Sequence, residues 1–420
     1  MDQGNTAFLL ISAALVLLMT PGLAFFYGGL VKAKSVISMM MLSFGAMGLI
    51  GVLWVLYGYA IAFPSAEGLA APWSIDWSAI GLTSLLETPE GAAYPPLAFV
   101  GFQATFAIIT VALISGAIAD RAKFGAWMVF AAVWATIVYF PVASWVFNFG
   151  LAEDGSFAYG GWITYGMQEF FGVGALDFAG GTAVHINAGA AAHALALVLG
   201  KRVGFSKGAH VPHNPPFVLL GAGLLWFGWF GFNAGSELAA DGTAALAWIN
   251  TLAAPAAALL AWLVVEKIKD GKPTSVGAAS GAVAGLVAIT PACAFLTPGW
   301  AIVLGLLAGA VCALAVDLKF RWGFDDSLDV VGIHLVGGLI GTLYLGFFAN
   351  TTGLIYSGNL TQLLVQAIAA FSVLIYSFVL AYVIGFIIQK TMGFRVKNED
   401  EIAGIDTVVH GEDAYKLETV

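Results

Sequence analysis

Runs of about twenty apolar residues recur from one end of this chain to the other, and this recurrence restricts its fold more than any other feature. A helix of that length crosses the roughly 30 Å hydrocarbon core of a bilayer. Only 10% of the 420 residues are charged, 60% are hydrophobic, and the mean hydropathy is +0.91. Soluble chains carry roughly 25% charged residues, so the expected fold class is all-α, a polytopic membrane protein within a lipid bilayer. The net charge of −9 argues against a nucleic-acid partner. Fifty-two glycines point to closely approaching helices, since small residues let membrane helices pack tightly. Cys293 and Cys312 both lie in apolar runs, and two thiols make neither a disulfide framework nor a metal cluster. The opening "MDQGNTAF" lacks a basic segment, so the first run reads as a retained span and not a cleaved signal.

The runs fall at about 7–30, 36–63, 97–119, 125–149, 177–199, 216–237, 243–265, 276–296, 299–317, 328–349 and 360–390, predicting 11 transmembrane helices. All 16 basic residues follow odd-numbered runs: Lys32, Lys34, Arg121, Lys123, Lys201, Arg202, Lys207, Lys267, Lys269, Lys272, Lys319, Arg321, Lys390, Arg395, Lys397 and Lys416. Even-numbered connections carry acidic residues instead, among them Glu67, Glu87, Glu90, Glu153, Asp154 and Asp241. By the positive-inside rule this places the N-terminus outside and the C-terminus in the cytoplasm, within a plasma (inner) membrane. Eleven spans with an external start fit two inverted five-helix repeats, about 7–199 and 216–349, plus a last helix at 360–390. Residues 1–390 would form the transmembrane domain and 391–420 a cytoplasmic tail. The echoes between repeats are "FFYGGL" against "FGFNAGSEL", and an Asp followed by a His in runs 5 and 10: Asp177 with His185, Asp329 with His334.

Three histidines sit in apolar runs. His185 lies eight residues beyond Asp177, about 12 Å along a helix, and His334 five residues beyond Asp329, about 7.5 Å. Entering from opposite faces, both reach the middle of the bilayer. Each alone could be helix–helix glue, but two at matching depth favour a shared pathway site, because polar intramembrane residues mark pathways by default. Two imidazoles without a Cys or carboxylate beside them leave zinc short of ligands, so no metal is expected. His193, two turns below His185, reads as structural, while His210, His213 and His410 read as solvated. Asp177, ahead of "FAGG", reads as a helix cap, and Asp120 as part of a cytoplasmic ion-pair cluster.

Aromatic stripes add a chemical preference. Phe99, Phe102 and Phe106 are expected on one face of run 3, and Trp229, Phe232 and Ser236 on one face of run 6. Such stripes are commonly core packing; glycine interleaving and the polar companions Gln103, Asn233 and Ser236 distinguish these two. Aromatic faces attract a small cation without a fixed negative charge, and a hydroxyl accepts a hydrogen bond from it.

"DFAGGTAVHINAG…GKR" (177–202) resembles the signature of the ammonium transporter family, which includes methylammonium permeases and Rh proteins. "TPGLAFFYGGL" (20–30), "FQATFAIITVALISGAIADRAKF" (102–124), "PHNPP" (212–216), "WFGFNAGSELAA" (229–240) and "DDSLDVVGIHLVGG" (325–338) resemble further family blocks. "GKPTSVGAASGAVAGLVAITPAC" (271–293), "GFRV" (393–396) and "AGIDTVVHGEDAY" (403–415) extend the likeness over essentially the whole chain. The resemblance implies a homotrimer of eleven-helix subunits, each with its own apolar pore for ammonium or ammonia, and for methylammonium. It implies no enzyme activity and no cofactor. The pore pair would be His185 and His334, and the outer gate Phe106 and Phe232. The recruitment site would comprise Phe102, Phe106, Phe147 and Ser236. Trp229, Phe26 and Tyr27 match pore positions, and Asp177, Gln103 and Tyr139 vestibule positions. Phe147 stands where the family usually has Trp: either capture is weaker, or a local shift brings Trp145 round.

A charge at the bilayer centre costs several kcal/mol or more, about 2.5–3.5 kcal/mol even on the mildest scales. The expected mechanism therefore has ammonium captured by the outer aromatics and deprotonated, with ammonia passing the histidines and the proton following through them as net charge movement. The rivals are a neutral-gas channel without ammonium selectivity, and a membrane sensor; the chain continues only 30 residues past Lys390, too few for an output domain. Through Gly393, Arg395, Gly404, Asp406, His410 and Tyr415 the tail resembles the family's regulatory segment, which implies a PII-type signal protein as a partner.

Overall fold

Helix starts are set by capping residues at the polar ends of the apolar runs. Asp2 accepts from Asn5 N at 2.7 Å to open α1 (Gln3–Leu30). Asn214 caps α6 (Pro215–Gly235), Asp241 caps α7 (Gly242–Lys269), and Thr274 caps α8 (Ser275–Ile289). The others are α2 (Val36–Ala62), α3 (Pro96–Ile118), α4 (Phe124–Phe147), α5 (Gly181–Leu199), α9 (Pro298–Trp322), α10 (Val331–Phe348) and α11 (Thr361–Thr391). The computed structural model describes residues 1–65, 67–152, 156–205 and 211–415; Glu153, Asp154, Lys207, His210 and Lys416 lie outside the described residues. Among the described residues ten helices are long and apolar enough to cross a membrane, and α8, with 15 residues, is the shorter occupant of the remaining run.

Each helix begins and ends within about five residues of its predicted run except α8, which ends at Ile289, seven residues short of the predicted 296. The informative departures are α5 and α10, which start four and three residues late. Both are preceded by an extended stretch whose aspartate bonds to the helix start. Among the described residues four of the spans contain a π-helical turn, Trp54–Gly58, Ala135–Tyr139, Gly181–Ile186 and Val331–Leu335, and two more lie outside them, at Trp162–Gly166 and Asp406–His410. Such turns are rare and frequent at functional sites, and two of them carry His185 and His334. The all-α expectation misses one small hairpin, β1 (Phe149–Leu151) with β2 (Phe157–Gly160), in which Phe149 pairs with Gly160. Strands of three and four residues are too short for a two-residue period to register in sequence.

Glycines supply the close crossings. α1 packs along α6 where a Cβ on Gly221 would lie 2.2 Å from Phe26 N, a distance only glycine permits. α5 meets α10 at Gly338, whose Cβ would stand 3.2 Å from that of His185 and 3.1 Å from Gly181 O. The two ends of the bundle differ in charge. At one end the residues after α1, α3 and α5 join the tail: Val396 N donates to Arg121 O, Asp406 N to Lys34 O, and Arg395 to Lys201 O. The loops after α2 and α6 meet at the other end, where Asp2 N donates to Ala93 O and Ala240 N to Asn5 Oδ1.

Candidate pore and its two ends

A small cavity lies in the bundle interior, and its lining follows one stripe per helix. Met19, Leu23 and Phe26 come from α1, Ile109 and Leu113 from α3, and Leu225, Trp229 and Phe232 from α6. Val184, Val283, His185 and His334 complete it. Sequence reasoning missed the aliphatic members, although their three- and four-residue spacing is the signal of a helical face. The walls are apolar apart from the two imidazoles and the Trp229 indole, whose Nε1 donates to Thr290 Oγ1 at 2.8 Å.

His185 and His334 face each other, Nδ1 to Nδ1, at 3.2 Å, with ring centroids 5.3 Å apart and planes 26° off parallel. A hydrogen bond across that gap needs one nitrogen as donor and the other as acceptor, so such a bond carries a single proton between the rings. Trp229 stacks on His185 at 5.4 Å. With Nδ1 turned to its partner, His185 Nε2 has no protein partner. It is the polar atom of that ring left to bond a small solute in the cavity.

Phe106 and Phe232 close one end of the cavity as a stacked pair, 4.2 Å between centroids and 16° between planes. Phe102 lies 4.8 Å from Phe106, and Phe147 meets the same ring edge-on at 6.1 Å. Ser236, one residue past α6, donates to Phe232 O at 2.8 Å, which leaves its oxygen free to accept. Phe102, Phe106 and Phe147 are thus brought together, and Ser236 is linked to them through the Phe232 backbone and its neighbour Gly235, which abuts the Phe102 ring. Trp145 is committed elsewhere: Nε1 donates to Pro72 O, and the ring lies 4.7 Å from Tyr376 and 5.7 Å from Trp162. Phe99 departs from its expected stripe. It packs on Phe63 and Tyr94, because α2 and the α2–α3 connection close over that end of α3. Gln103 and Tyr139 are buried beside the path but do not line the cavity. Tyr27 lies toward the other end, donating to Leu113 O at 3.0 Å, with its ring against Gly116.

Asp177 accepts four backbone N–H groups: Gly180 and Gly181 on Oδ1 at 2.9 and 2.5 Å, Thr182 and Ala183 on Oδ2 at 2.8 and 3.1 Å. These are the orphan donors of the α5 start, two residues before His185. The counterpart at α10 is Asp326, and the expected pairing of Asp329 with His334 is corrected. Asp326 accepts from Val330 N at 3.1 Å and Val331 N at 2.7 Å, whereas Asp329 binds Lys319 at 2.5 Å. Asp326 precedes His334 by eight residues, the same spacing as Asp177 to His185. Burial raises the Asp326 carboxyl to about 6 against the pull of Lys319, with the Asp329 charge adding to the rise.

Beneath α5 and α10 lies a nearly dry ion cluster. Arg202 pairs with Asp120 at 3.1 Å and Asp325 at 2.9 Å, while Arg121 bonds Ser327 and, at 2.6 Å, Asp325 O. Asp120 is paired across helices and not with its sequence neighbours. Burial pushes the Asp325 carboxyl up, but the Arg202 and Arg121 guanidiniums outweigh it and hold the group below its ordinary value. The tail attaches to this cluster. Arg395 donates to Leu199 O, Lys201 O and Glu401, and Glu401 accepts from Val203 N at 2.7 Å. Asp406 accepts from Ile37 N at 3.0 Å and Ser38 N at 2.7 Å. Gly393 and Gly404 take positive φ, +72° and +125°, at the two bends. His410 packs on Phe124, and His213 bridges Val31 O and the Tyr415 hydroxyl, both at 2.9 Å. His410, in the docked tail, and His213, in the α5–α6 connection against Tyr415 of that tail, are therefore held in place and not simply solvated. His193 stands away from the cavity, between Phe324 and Phe378.

Comparison with known proteins identifies the family. The model of the Ammonium Transporter Family matches residues 7–415. The ammonium transporter of Mycobacterium tuberculosis is 53% identical, covering 99% of this chain and 90% of that protein. The Bacillus subtilis ammonium transporter is 43% identical, over 99% of both chains. Among solved structures, Saccharomyces cerevisiae Mep2 superposes with a TM-score of 0.83 at 31% identity, over 100% of this chain and 92% of that one. A protein described as a sensor Amt protein gives 0.85 at 28% identity, over 96% and 98%. This multi-pass membrane chain, a transporter and not an enzyme, belongs to the ammonium transporter family.

Proposed function

We propose that the chain carries ammonium nitrogen inward as ammonia, with the proton following through the histidine pair. The observation that carries this reading is the 3.2 Å contact between His185 and His334 in an otherwise apolar cavity closed by the Phe106–Phe232 stack. Ammonium is captured where Phe102, Phe106 and Phe147 offer ring faces and Ser236 offers an acceptor. It loses a proton there, because a bare cation has no counter-charge along Leu23, Ile109 and Leu225. Ammonia then passes the phenylalanines and is handed along His185 and His334, whose ring nitrogens both donate and accept. Trp229, Phe26 and Tyr27 shape the lower path; Asp177, Gln103 and Tyr139 build the outer vestibule without touching solute. Methylammonium enters the same capture site.

In this reading the chain crosses the inner membrane eleven times, as two inverted five-helix repeats plus α11, and works as a homotrimer. The basic end is cytoplasmic. The matching eight-residue spacing of Asp177–His185 and Asp326–His334 supports the repeat. Residues 391–420 form a regulatory tail, and a PII-type protein reads that face. The test is ammonium-evoked current from purified protein in liposomes, for wild type and the His185→Ala/His334→Ala double variant. Loss of the current is expected; an undiminished charge-coupled current in the double variant would sink the relay.

A further inference from the structure

The two histidine helices are not held together by their own contacts alone. Gln366 of α11, fully buried, uses every hydrogen-bonding position of its amide. Its oxygen accepts from Leu176 N at 2.7 Å and Gln362 Nε2 at 3.0 Å; its nitrogen donates to Leu176 O at 2.8 Å and Thr342 O at 3.1 Å. Leu176 is the residue before Asp177, whose carboxylate fixes the start of α5, and Thr342 lies in α10. One side chain therefore ties the lead-in to His185 to the helix that carries His334. Gln362 adds a bond to Gly174 O at 3.1 Å on the same lead-in.

A second tie lies eleven residues along the same face of α11, about three turns or 16 Å away. Ser377 donates to Asn187 O at 2.7 Å, two residues past His185. Between these ties α5 and α10 touch at Gly338 and at Gly189, whose Cβ would meet Leu335 N at 2.6 Å. Apart from the His185–His334 contact itself, the helices meet here through glycine contacts, which offer no directional bond to fix their rotation or axial offset. The π-helical turn at each histidine removes regular hydrogen-bond register at the same place. Beyond that contact and the Arg202–Asp325 pair past the far end of α5, the directional bonds come from α11, which in the proposed arrangement belongs to neither five-helix unit.

We infer that Gln366 is a positioning residue for ammonium transport: with Ser377 it makes α11 a clamp that sets the separation of His185 and His334. This rests on the proposed passage of ammonia along the histidine pair. A clamp predicts a change in selectivity, because the gap between the rings decides how large a neutral amine passes. A residue that only adds stability lowers the amount of folded protein and scales both substrates together.

The experiment compares ammonium and methylammonium transport per folded molecule in liposomes for wild type, Gln366→Leu, Gln366→Glu, Ser377→Ala and His185→Ala. Gln366→Glu keeps shape and acceptors but sets a carboxylate against Leu176 O and Thr342 O, so it reports even if Gln366→Leu fails to fold. Ammonium transport is expected to fall by roughly tenfold or more in the Gln366 variants, as a misplacement of about 1 Å suffices for such losses. The methylammonium-to-ammonium ratio should shift by at least about threefold, with His185→Ala losing the relay altogether. Unchanged transport, or an equal fall for both amines, in whichever Gln366 variant folds would overturn the clamp. Wild-type transport and selectivity in His185→Ala would instead overturn the pore reading beneath it, so the two failures separate.

Discussion

Replacing Asp177 by Asn tests how the helix that presents His185 is held. The carboxylate accepts two N–H groups on each oxygen, four in all. An asparagine keeps one oxygen and turns an NH2 group toward the other two donors. Each stranded buried N–H costs about 1–3 kcal/mol, so the substitution should cost about 2–6 kcal/mol. Asp326 gives an internal control, since it accepts only one N–H on each oxygen and Asn strands a single donor. Its loss should be about 1–3 kcal/mol by the same count. Unfolding of both variants in a detergent series, referenced to wild type, reads the difference directly. Asp177→Asn should be about twice as destabilising as Asp326→Asn, on the 1–3 kcal/mol unit cost per donor. Equal losses, or a greater loss at Asp326, would refute the idea that these aspartates act through the donors they satisfy.

Three further outcomes are expected. Glu237, beside Ser236, is raised to about 7 by burial, with the charge and the hydrogen bond of Asp241 adding to the rise. Its negative charge therefore appears as pH rises through about 7, and external ammonium affinity should improve between about pH 6 and 8. Glu237→Gln should flatten that improvement, and a wild-type pH profile in the variant would defeat the reading. The sign for stability is opposite: the folded state keeps a proton between its ordinary value of 4.5 and about 7, so this group's contribution falls as pH rises across that window. At the other end, Arg395→Ala removes the bonds to Leu199 O, Lys201 O and Glu401, and should expose the tail to limited proteolysis. Deleting residues 397–420 should change the transport rate or PII binding; tail cleavage at the wild-type rate, together with unaltered transport and PII binding, would remove the case for a docked regulatory segment.

What the sequence could reveal depended on the kind of interaction involved. Helix positions were legible because a membrane helix needs an unbroken apolar run, and the basic residues punctuate every second one. The histidine pair was legible because an imidazole in such a run is conspicuous. The aspartates were not, because "DDSLD" offers three carboxylates within five residues and only geometry separates them. Asp325 goes to Arg202, Asp326 to the α10 start, and Asp329 to Lys319. The eight-residue spacing from Asp177 to His185, applied backwards from His334, would have picked Asp326. Phe99 shows a different limit: spacing assigns a face of α3, but which partner covers that face changes along the helix, and Phe63 and Tyr94 take its N-terminal end. Gln366 was the least visible. Three of its four bonds go to backbone atoms of Leu176 and Thr342, far away in sequence and made by groups that every residue carries. No pattern of side-chain types can disclose such a partner. A glutamine alone in an apolar run is nonetheless a sign, since an unpaired amide in hydrocarbon costs several kcal/mol, about 4–8 on an alkane scale. The polar residue with no evident reason in sequence is where a distant backbone should be sought.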